Sequence, residues 1–323
     1  MIDCWIVTDG KPGMESQCLG LADALEIKPV IKRLVLQKPW GMASPYIRLP
    51  LALSYDDVTA LQPPWPDLLI ATGRQSVQAS LFVRRMSRRS GSPSVTVQIQ
   101  NPAISPRHFD LVITPAHDHL TGENVLTTLG ALHRITPQKL DEAMPLFLSR
   151  IGPLPRPYTV VLLGGTNGSY QFSSQDMQDL AQGIVTAVRE SHGSVLVTPS
   201  RRTSPAHLSL LQRSLAEFPT FIWDGAGDNP YFGMLAVADR IVVTSDSVNM
   251  VSEAVASGKP VQVFELPGGT EKFAFFHSTL RTKGLTSAFP GPLPNPVPGI
   301  ESDMARAVQR VRAVYCAVRG TSL

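Results

Sequence analysis

Cysteine is nearly absent from this chain: Cys4, Cys18 and Cys316 are the only three in 323 residues, far apart and without CxxC or CxxH spacing. So sparse and odd a set fits a reducing compartment and argues against a disulfide framework or a structural zinc site. Charge is scarce too. Asp, Glu, Lys and Arg make up 17% of the residues, against about 25% in an average domain. A net charge of +3 is too small to imply nucleic acid, and no such partner is expected. No apolar run approaches the ~18–20 residues that a bilayer span requires. The opening Met1-Ile2-Asp3-Cys4-Trp5 lacks a basic start and runs straight into a strand pattern, so no signal peptide is expected. His117 and His119 stand two apart with no third ligand, a poor metal site. There is no GxSxG nucleophile elbow, which leaves serine-hydrolase chemistry without support.

What remains is a chain of ordinary hydrophobicity, 43% apolar, that alternates short apolar runs with longer amphipathic stretches. That alternation signals βαβ units and parallel sheets. In the first half the strand candidates are Trp5–Thr8, Val30–Leu34, Leu68–Ala71, Val95–Gln98 and Leu111–Ile113, with helices over Ser16–Leu25 and Val77–Met86. A second series follows the Pro-rich junction Gly152-Pro153-Leu154-Pro155-Arg156-Pro157. Its strands are Thr159–Leu163, Ser194–Val197, Phe221–Trp223, Arg240–Val243 and Val261–Phe264. Prolines cannot donate backbone hydrogen bonds, so the junction reads as a linker between two Rossmann-like α/β domains. Prolines recur at 290, 292, 294, 296 and 298, and a last helix then carries Met304, Val308, Val311, Tyr315 and Val318 at helical spacing. That stripe must be buried, against either domain.

The strongest local signal is Ile241-Val242-Val243-Thr244-Ser245-Asp246-Ser247-Val248-Asn249-Met250-Val251-Ser252-Glu253. It reads as strand, polar turn and helix, with Ser245, Asp246 and Ser247 all good N-cap types. Unpaired N–H groups and the positive dipole end at such a tip suit a diphosphate. Glu253 lies six positions past Ser247, about 9 Å along the axis, placed to accept hydrogen bonds from both hydroxyls of a ribose. An ordinary capped helix with a solvated Glu fits the pattern as well. Gly164-Gly165-Thr166-Asn167-Gly168-Ser169 and Gly268-Gly269-Thr270-Glu271-Lys272 sit just past strand ends, where open α/β sheets bind ligands. Glycine lets backbone N–H groups approach phosphate closely, although neither loop is a Walker A or GxGxxG sequence. Arg201 and Arg202 are candidates for neutralising phosphate, or are plain surface arginines. Trp223 and Asp224 end a strand where backbone groups face a nucleobase edge, unless the Trp is core. In the first half, Asp9 and Glu15 flank the Gly10–Gly13 turn and are candidates for a general base; capping and solvation are the alternatives. Gly13, Gly73 and Arg74 are candidates to line an acceptor side.

These residues resemble a known family. The pattern of Thr8-Asp9-Gly10-Lys11-Pro12-Gly13, Ile99-Gln100-Asn101-Pro102, Gly130-Ala131-Leu132-His133-Arg134, Thr198 to Thr203, Trp223-Asp224-Gly225, Asn229-Pro230-Tyr231, Thr244 to Glu253 and Gly268 to Phe273 is similar to the bacterial branch of the mitochondrial-fission ELM family. Its members look like GT-B glycosyltransferases. The stretch from Ala236 to Pro260 resembles the donor-binding region of the peptidoglycan N-acetylglucosaminyltransferase and lipid-A-disaccharide synthase, which place a Glu at the position of Glu253 on the donor ribose. One departure is Met14, where the peptidoglycan enzyme has a His in its first glycine loop. A thioether cannot take a proton, so the base is Asp9, Glu15 or absent.

The resemblance implies a GT-B-like α/β fold. Its parts would be an acceptor-side domain over residues 1–152, a nucleotide-sugar-binding domain over 153–300, and a helix over 301–323 returning to the first. It implies a metal-independent glycosyltransferase without a cofactor, using a nucleotide-diphosphate sugar and an envelope or lipid-linked acceptor. The expected location is cytoplasmic, with peripheral contact at the inner face of the cytoplasmic membrane. A nucleoside-diphosphate-sugar epimerase of the same fold is the first alternative. A non-catalytic membrane-associated protein is the second, drawing on Ile47–Leu53 and the Arg84, Arg85, Arg88 and Arg89 cluster.

Overall fold

Strands written as unbroken apolar runs, rather than alternating ones, need cover on both faces, and helices supply it throughout. The computed structural model describes residues 2–35, 55, 60–294 and 302–323. Two compact units emerge, one of residues 1–134 with 301–323, the other of residues 135–300. The stretch Ile47–Leu53 and the prolines at 296 and 298 lie outside the described residues.

The first unit holds β1 (Cys4–Thr8), α1 (Pro12–Ala24), β2 (Val30–Arg33), β3 (Leu68–Thr72), α2 (Val77–Arg89), β4 (Val95–Ile99), β5 (Leu111–Pro115) and β6 (Val125–Thr128). They form a parallel sheet in the order β2-β1-β3-β4-β5-β6. Every residue of β1, β3, β4 and β5 is buried. One face of this sheet packs on Cys18, Leu21, Ala22 and Leu25 of the α1 region and on Met304, Ala307, Val311 and Tyr315. Those last four belong to the final helix (Asp303–Arg319), which therefore packs on the first sheet. Each such side chain contributes about 1.5–3 kcal/mol by burial. Both ends of that helix are also pinned. The Leu129 N–H donates to Asp303 Oδ2 at 2.6 Å, and the Arg319 guanidinium pairs with Asp67 and donates to the Pro93 carbonyl at 3.1 Å. On the α2 side a buried carboxylate, Asp110, accepts from Arg84, from Arg88 and from both the amide and hydroxyl of Thr96. Two arginines of the expected basic cluster are therefore engaged by a carboxylate of their own unit.

In the second unit follow α3 (Pro137–Ile151), β7 (Tyr158–Leu163), α4 (Ser174–Ser191), β8 (Ser194–Pro199), α5 (Pro205–Ser214), β9 (Thr220–Ile222), α6 (Tyr231–Val237), β10 (Arg240–Thr244), α7 (Val248–Ala256), β11 (Val261–Phe264), α8 (Glu271–Thr282) and β12 (Ser287–Ala288). Numbered in chain order, the final helix of the first unit is α9. The sheet is parallel, in the order β12-β11-β10-β7-β8-β9. The contact boundary falls at Arg134–Ile135 rather than in the Pro-rich segment, because α3 packs on α6. That contact is intimate: a Cβ on Gly233 would lie 2.3 Å from the Cβ of Phe147. Thr136 caps α3 by accepting from the Lys139 N–H, which starts the helix ahead of the junction. No helix among the described residues is long and apolar enough to cross a membrane.

Candidate functional site

Strand order decides where a ligand would sit. From β7 the chain moves outward to β8 and β9, then returns to β10 on the other flank of β7. Neighbouring strands whose connections run in opposite directions leave a crevice past their carboxyl ends. In the second unit the loops after β7 and β10 flank it.

In the loop after β10 lies Asp246, its side chain wholly buried. Its carboxylate accepts from the Thr244 hydroxyl at 2.6 Å, the Gly165 N–H at 3.1 Å and the Arg202 guanidinium at 2.6 Å. The Gly164 N–H donates in turn to the Thr244 hydroxyl at 2.8 Å. Three loops are thus stapled by one acid. Close approach demands the glycine pair: a Cβ on Gly164 would fall 1.9 Å from Asp246 Oδ1, and one on Gly165 2.1 Å from the Arg202 carbonyl oxygen.

This geometry changes four of the expected phosphate contacts. The Gly164 and Gly165 amides already donate within the protein, Asp246 faces inward, and Arg202 is committed to it. Arg201 is the neighbouring cation that stays exposed without an ion-pair partner among the described residues. Thr166 and Asn167 shape their own loop. The Thr166 hydroxyl accepts from Phe172 N, and the Asn167 side-chain Oδ1 accepts from the amides of Ser169 and Tyr170 while its Nδ2 donates to the Asp246 backbone carbonyl at 3.1 Å. Ser245 is buried as well, accepting from Leu266 N at 3.0 Å, while its carbonyl meets His277 Nε2 at 2.9 Å. Burial pushes the His277 imidazole below its ordinary value.

Ser247 is the residue that caps α7, accepting from Met250 N, with Asn249 in the first turn. On the same helix Glu253 is half-buried and accepts a 2.8 Å hydrogen bond from the Tyr231 hydroxyl. Loss of hydration, reinforced by the Glu253 carboxylate, holds the Tyr231 phenol well above its ordinary value, so it is the donor in this pair. The Gly268–Gly269 turn is tied to the β7 loop by Gly269 N donating to the Ser169 carbonyl at 2.6 Å. It delivers Thr270, Glu271 and Lys272 to the start of α8, where Thr270 makes no side-chain cap. The first N–H groups of α8 therefore lack a capping acceptor from that residue. Trp223 is half-buried, its amide bonded to Val197 and its indole N–H to Ala226; the Asp224 side chain accepts from Ala226 N.

The first sheet has its own crossover point, between β1 and β3. There Met14 meets the Thr72 hydroxyl, and the Met14 methyl group lies close to Gly73. Gly13 sits in the first turn of α1, and Arg74 is exposed at the start of a short turn after Gly73. Asp9 pairs with Lys11 at 2.5 Å. Glu15 accepts from Arg33 Nε and Nη2, each at 2.8 Å. Among the described residues no group of three or more His, Cys, Asp and Glu side chains is arranged to hold a metal ion.

Comparison with known proteins fits this architecture. The family model for mitochondrial fission ELM1 matches residues 12–315. The chain belongs to the mitochondrial fission ELM1 family. Mitochondrial fission protein ELM1 of Arabidopsis thaliana is 33% identical over 251 residues, covering 70% of this chain and 58% of that protein. The match thus spans little more than half of the plant protein's length. An uncharacterized protein of Rickettsia prowazekii is 24% identical over 307 residues, 82% of this chain and 84% of that one. Among solved structures, a UDP-N-acetylglucosamine 2-epimerase superposes with a TM-score of 0.56 at 12% identity, over 99% and 97% of the two chains. The UDP-GlcNAc 2-epimerase of Methanocaldococcus jannaschii gives 0.53 at 12%, over 95% and 92%. Spinosyn forosaminyltransferase SpnP gives 0.52 at 12%, over 99% and 94%. At such identities the likeness establishes the fold: this ELM1-family chain has the GT-B architecture of glycosyltransferases and sugar-nucleotide epimerases.

Tyr231 was visible in the sequence only as part of the Asn-Pro-Tyr motif, not as a site residue. Its partner lies 22 positions away on a different helix, a separation no local pattern reveals. The sequence signal that existed was Asn229, a helix-capping residue type just ahead of an aromatic.

Proposed function

We propose that the second unit binds a nucleoside-diphosphate sugar at the carboxyl edge of its sheet, and that this protein is a glycosyltransferase acting on an envelope or lipid-linked acceptor. The observation that carries the proposal is Glu253, a half-buried carboxylate with an orienting hydroxyl partner, on a helix that starts at the crossover point. A ribose donates two hydroxyls, and a fixed carboxylate accepts both. The diphosphate is assigned to the tips of α7 and α8, with Arg201 as its cation. This differs from a cradle built on Gly164 and Gly165, whose amides are occupied. The base is assigned to Asp9. Glu15 is gripped on both oxygens by the planar fork of Arg33, whereas Asp9 meets the single ammonium and the backbone amide of Lys11; the two cations are similarly exposed, so the fork's geometry decides between the acids. A lipid-borne acceptor would bring the protein to the inner face of the cytoplasmic membrane.

Glu253→Ala is expected to weaken nucleoside-diphosphate binding about 5–100-fold, the scale of buried hydrogen bonds to a charged group. Titration calorimetry checks it; unchanged affinity rejects the ribose assignment. The second reading, a sugar-nucleotide epimerase, is favoured by the two solved relatives that carry that name. Incubation with a nucleotide sugar alone separates the two: an epimerase yields an altered sugar with no acceptor present, whereas a transferase leaves the sugar's configuration intact until acceptor is added.

A further inference from the structure

We infer that Tyr231 is a positioning residue that makes the site selective for ribonucleotides over 2′-deoxyribonucleotides. The inference rests on the ribose assignment to Glu253 and deepens it. A glutamate side chain has three rotatable bonds, and ordering it on binding costs conformational entropy. Here that ordering is supplied in advance, because the Tyr231 hydroxyl donates to Glu253 Oε2 at 2.8 Å.

The tyrosine is itself held from several directions. It is the first residue of α6, behind Pro230, and its amide donates to the Asn229 side chain at 3.1 Å. Its ring meets Phe232 edge-on, with centroids 6.3 Å apart. Two residues on, Gly233 lets α6 press directly onto Phe147 of α3, so the helix carrying the phenol has little freedom to slide. The loop ahead of it is fastened by Arg150 donating to the Asp228 carbonyl at 2.7 Å.

The chemistry of the pair is one-sided. A carboxylate only accepts, with about four lone-pair sites, one of them taken here by the Tyr231 proton. An acceptor-rich corner of this kind suits two adjacent hydroxyls that both donate. A 2′-deoxyribose has one of them missing, so it leaves an acceptor unmet. Selectivity of this sort, where a polar group loses its partner in the wrong ligand, is the strongest kind that a small site achieves.

The test is calorimetric titration of the full chain with UDP, GDP, ADP and CDP and with their 2′-deoxy forms, using the ribonucleotide that binds tightest. The wild-type protein is expected to prefer it over its 2′-deoxy form by roughly 10-fold. Tyr231→Phe keeps the ring and its packing. It is expected to weaken the ribonucleotide by about 5–10-fold and the 2′-deoxy form by less than about 2-fold, collapsing the preference. Glu253→Gln serves as the control for the underlying assignment. If Tyr231→Phe leaves both affinities unchanged, or lowers both equally, while Glu253→Gln still weakens the ribonucleotide, the positioning role is overturned and the donor site stands. If no ribonucleotide binds, or Glu253→Gln has no effect, the donor assignment fails and takes this inference with it.

Discussion

Asp246→Ala lowers the stability of the second unit by about 2–4 kcal/mol and disorders the crevice loops. The figure follows from what the carboxylate holds. Its removal strands the Gly165 amide and the Thr244 hydroxyl in a buried place, and an unsatisfied buried donor costs about 1–3 kcal/mol. Arg202, 42% exposed, can hydrate and adds little to that cost. The reverse replacement is different in kind. Arg202→Ala leaves a wholly buried carboxylate facing one amide and one hydroxyl, and a buried charge that loses its partner costs about 3–5 kcal/mol. The double variant should therefore be no less stable than Arg202→Ala alone, since removing the acid removes the stranded charge. Urea unfolding gives the magnitudes, and amide exchange on β7 and β10 assigns them to this unit. A loss under about 1 kcal/mol for each single variant would show that the staple is ornamental. Glu253→Ala strands the Tyr231 hydroxyl, whose proton Glu253 accepts, so it should cost about 1–3 kcal/mol of stability as well as change ligand affinity.

The first sequence signals to survive were those set by local physics. Fully apolar runs bounded by Gly, Pro or polar turns fixed Val261–Phe264 residue for residue and put the Cys4–Thr8 strand within one residue. Ser247 became a cap because a short hydroxyl beside a helix start has few other uses. Losses occurred where local pattern is weak. Strand β6 is half-exposed and β12 has two residues, so neither offers a periodic signature. Helix α3 carries an internal proline at 145, which reads as a break.

The inward-facing polar groups of the second unit lacked a local signature for a different reason. Asp246, Gly165 and Arg202 are separated by 44 and 81 positions along the chain. Polar residues at a turn look alike in sequence whether they face water or one another. Only the strand order β10-β7-β8, which sets those three loops side by side, turns an apparent phosphate contact into a structural acid. The exposed Arg201 beside the committed Arg202 has the same origin, two identical neighbours given opposite duties by topology. The proposed ligand contacts are therefore the tips of α7 and α8 and the Tyr231–Glu253 pair.

A parallel case in the first unit supplies a pH test. Asp110→Asn lowers stability at neutral pH by about 3 kcal/mol, and the deficit shrinks in acid. The Asp110 side chain is 6% exposed. Burial alone would raise its pKa, but hydrogen bonds from Arg84 and from the hydroxyl and amide of Thr96 outweigh burial, and the carboxyl is held below its ordinary value. In the unfolded chain it returns to that value. Between the two pKa values the unfolded state binds more protons than the folded one, so stability falls as pH falls through the folded value. Asparagine has no such proton to take up. The gap between wild type and variant is therefore full above the ordinary carboxylate range and narrows below it, as the wild-type acid protonates and Arg84 loses its counter-charge. Urea unfolding at neutral pH and near pH ~3, with amide exchange on β4 and β5 to locate the change, reads the effect. A deficit that stays constant across that range would mean that Asp110 acts by its shape and hydrogen bonds alone, not by its charge.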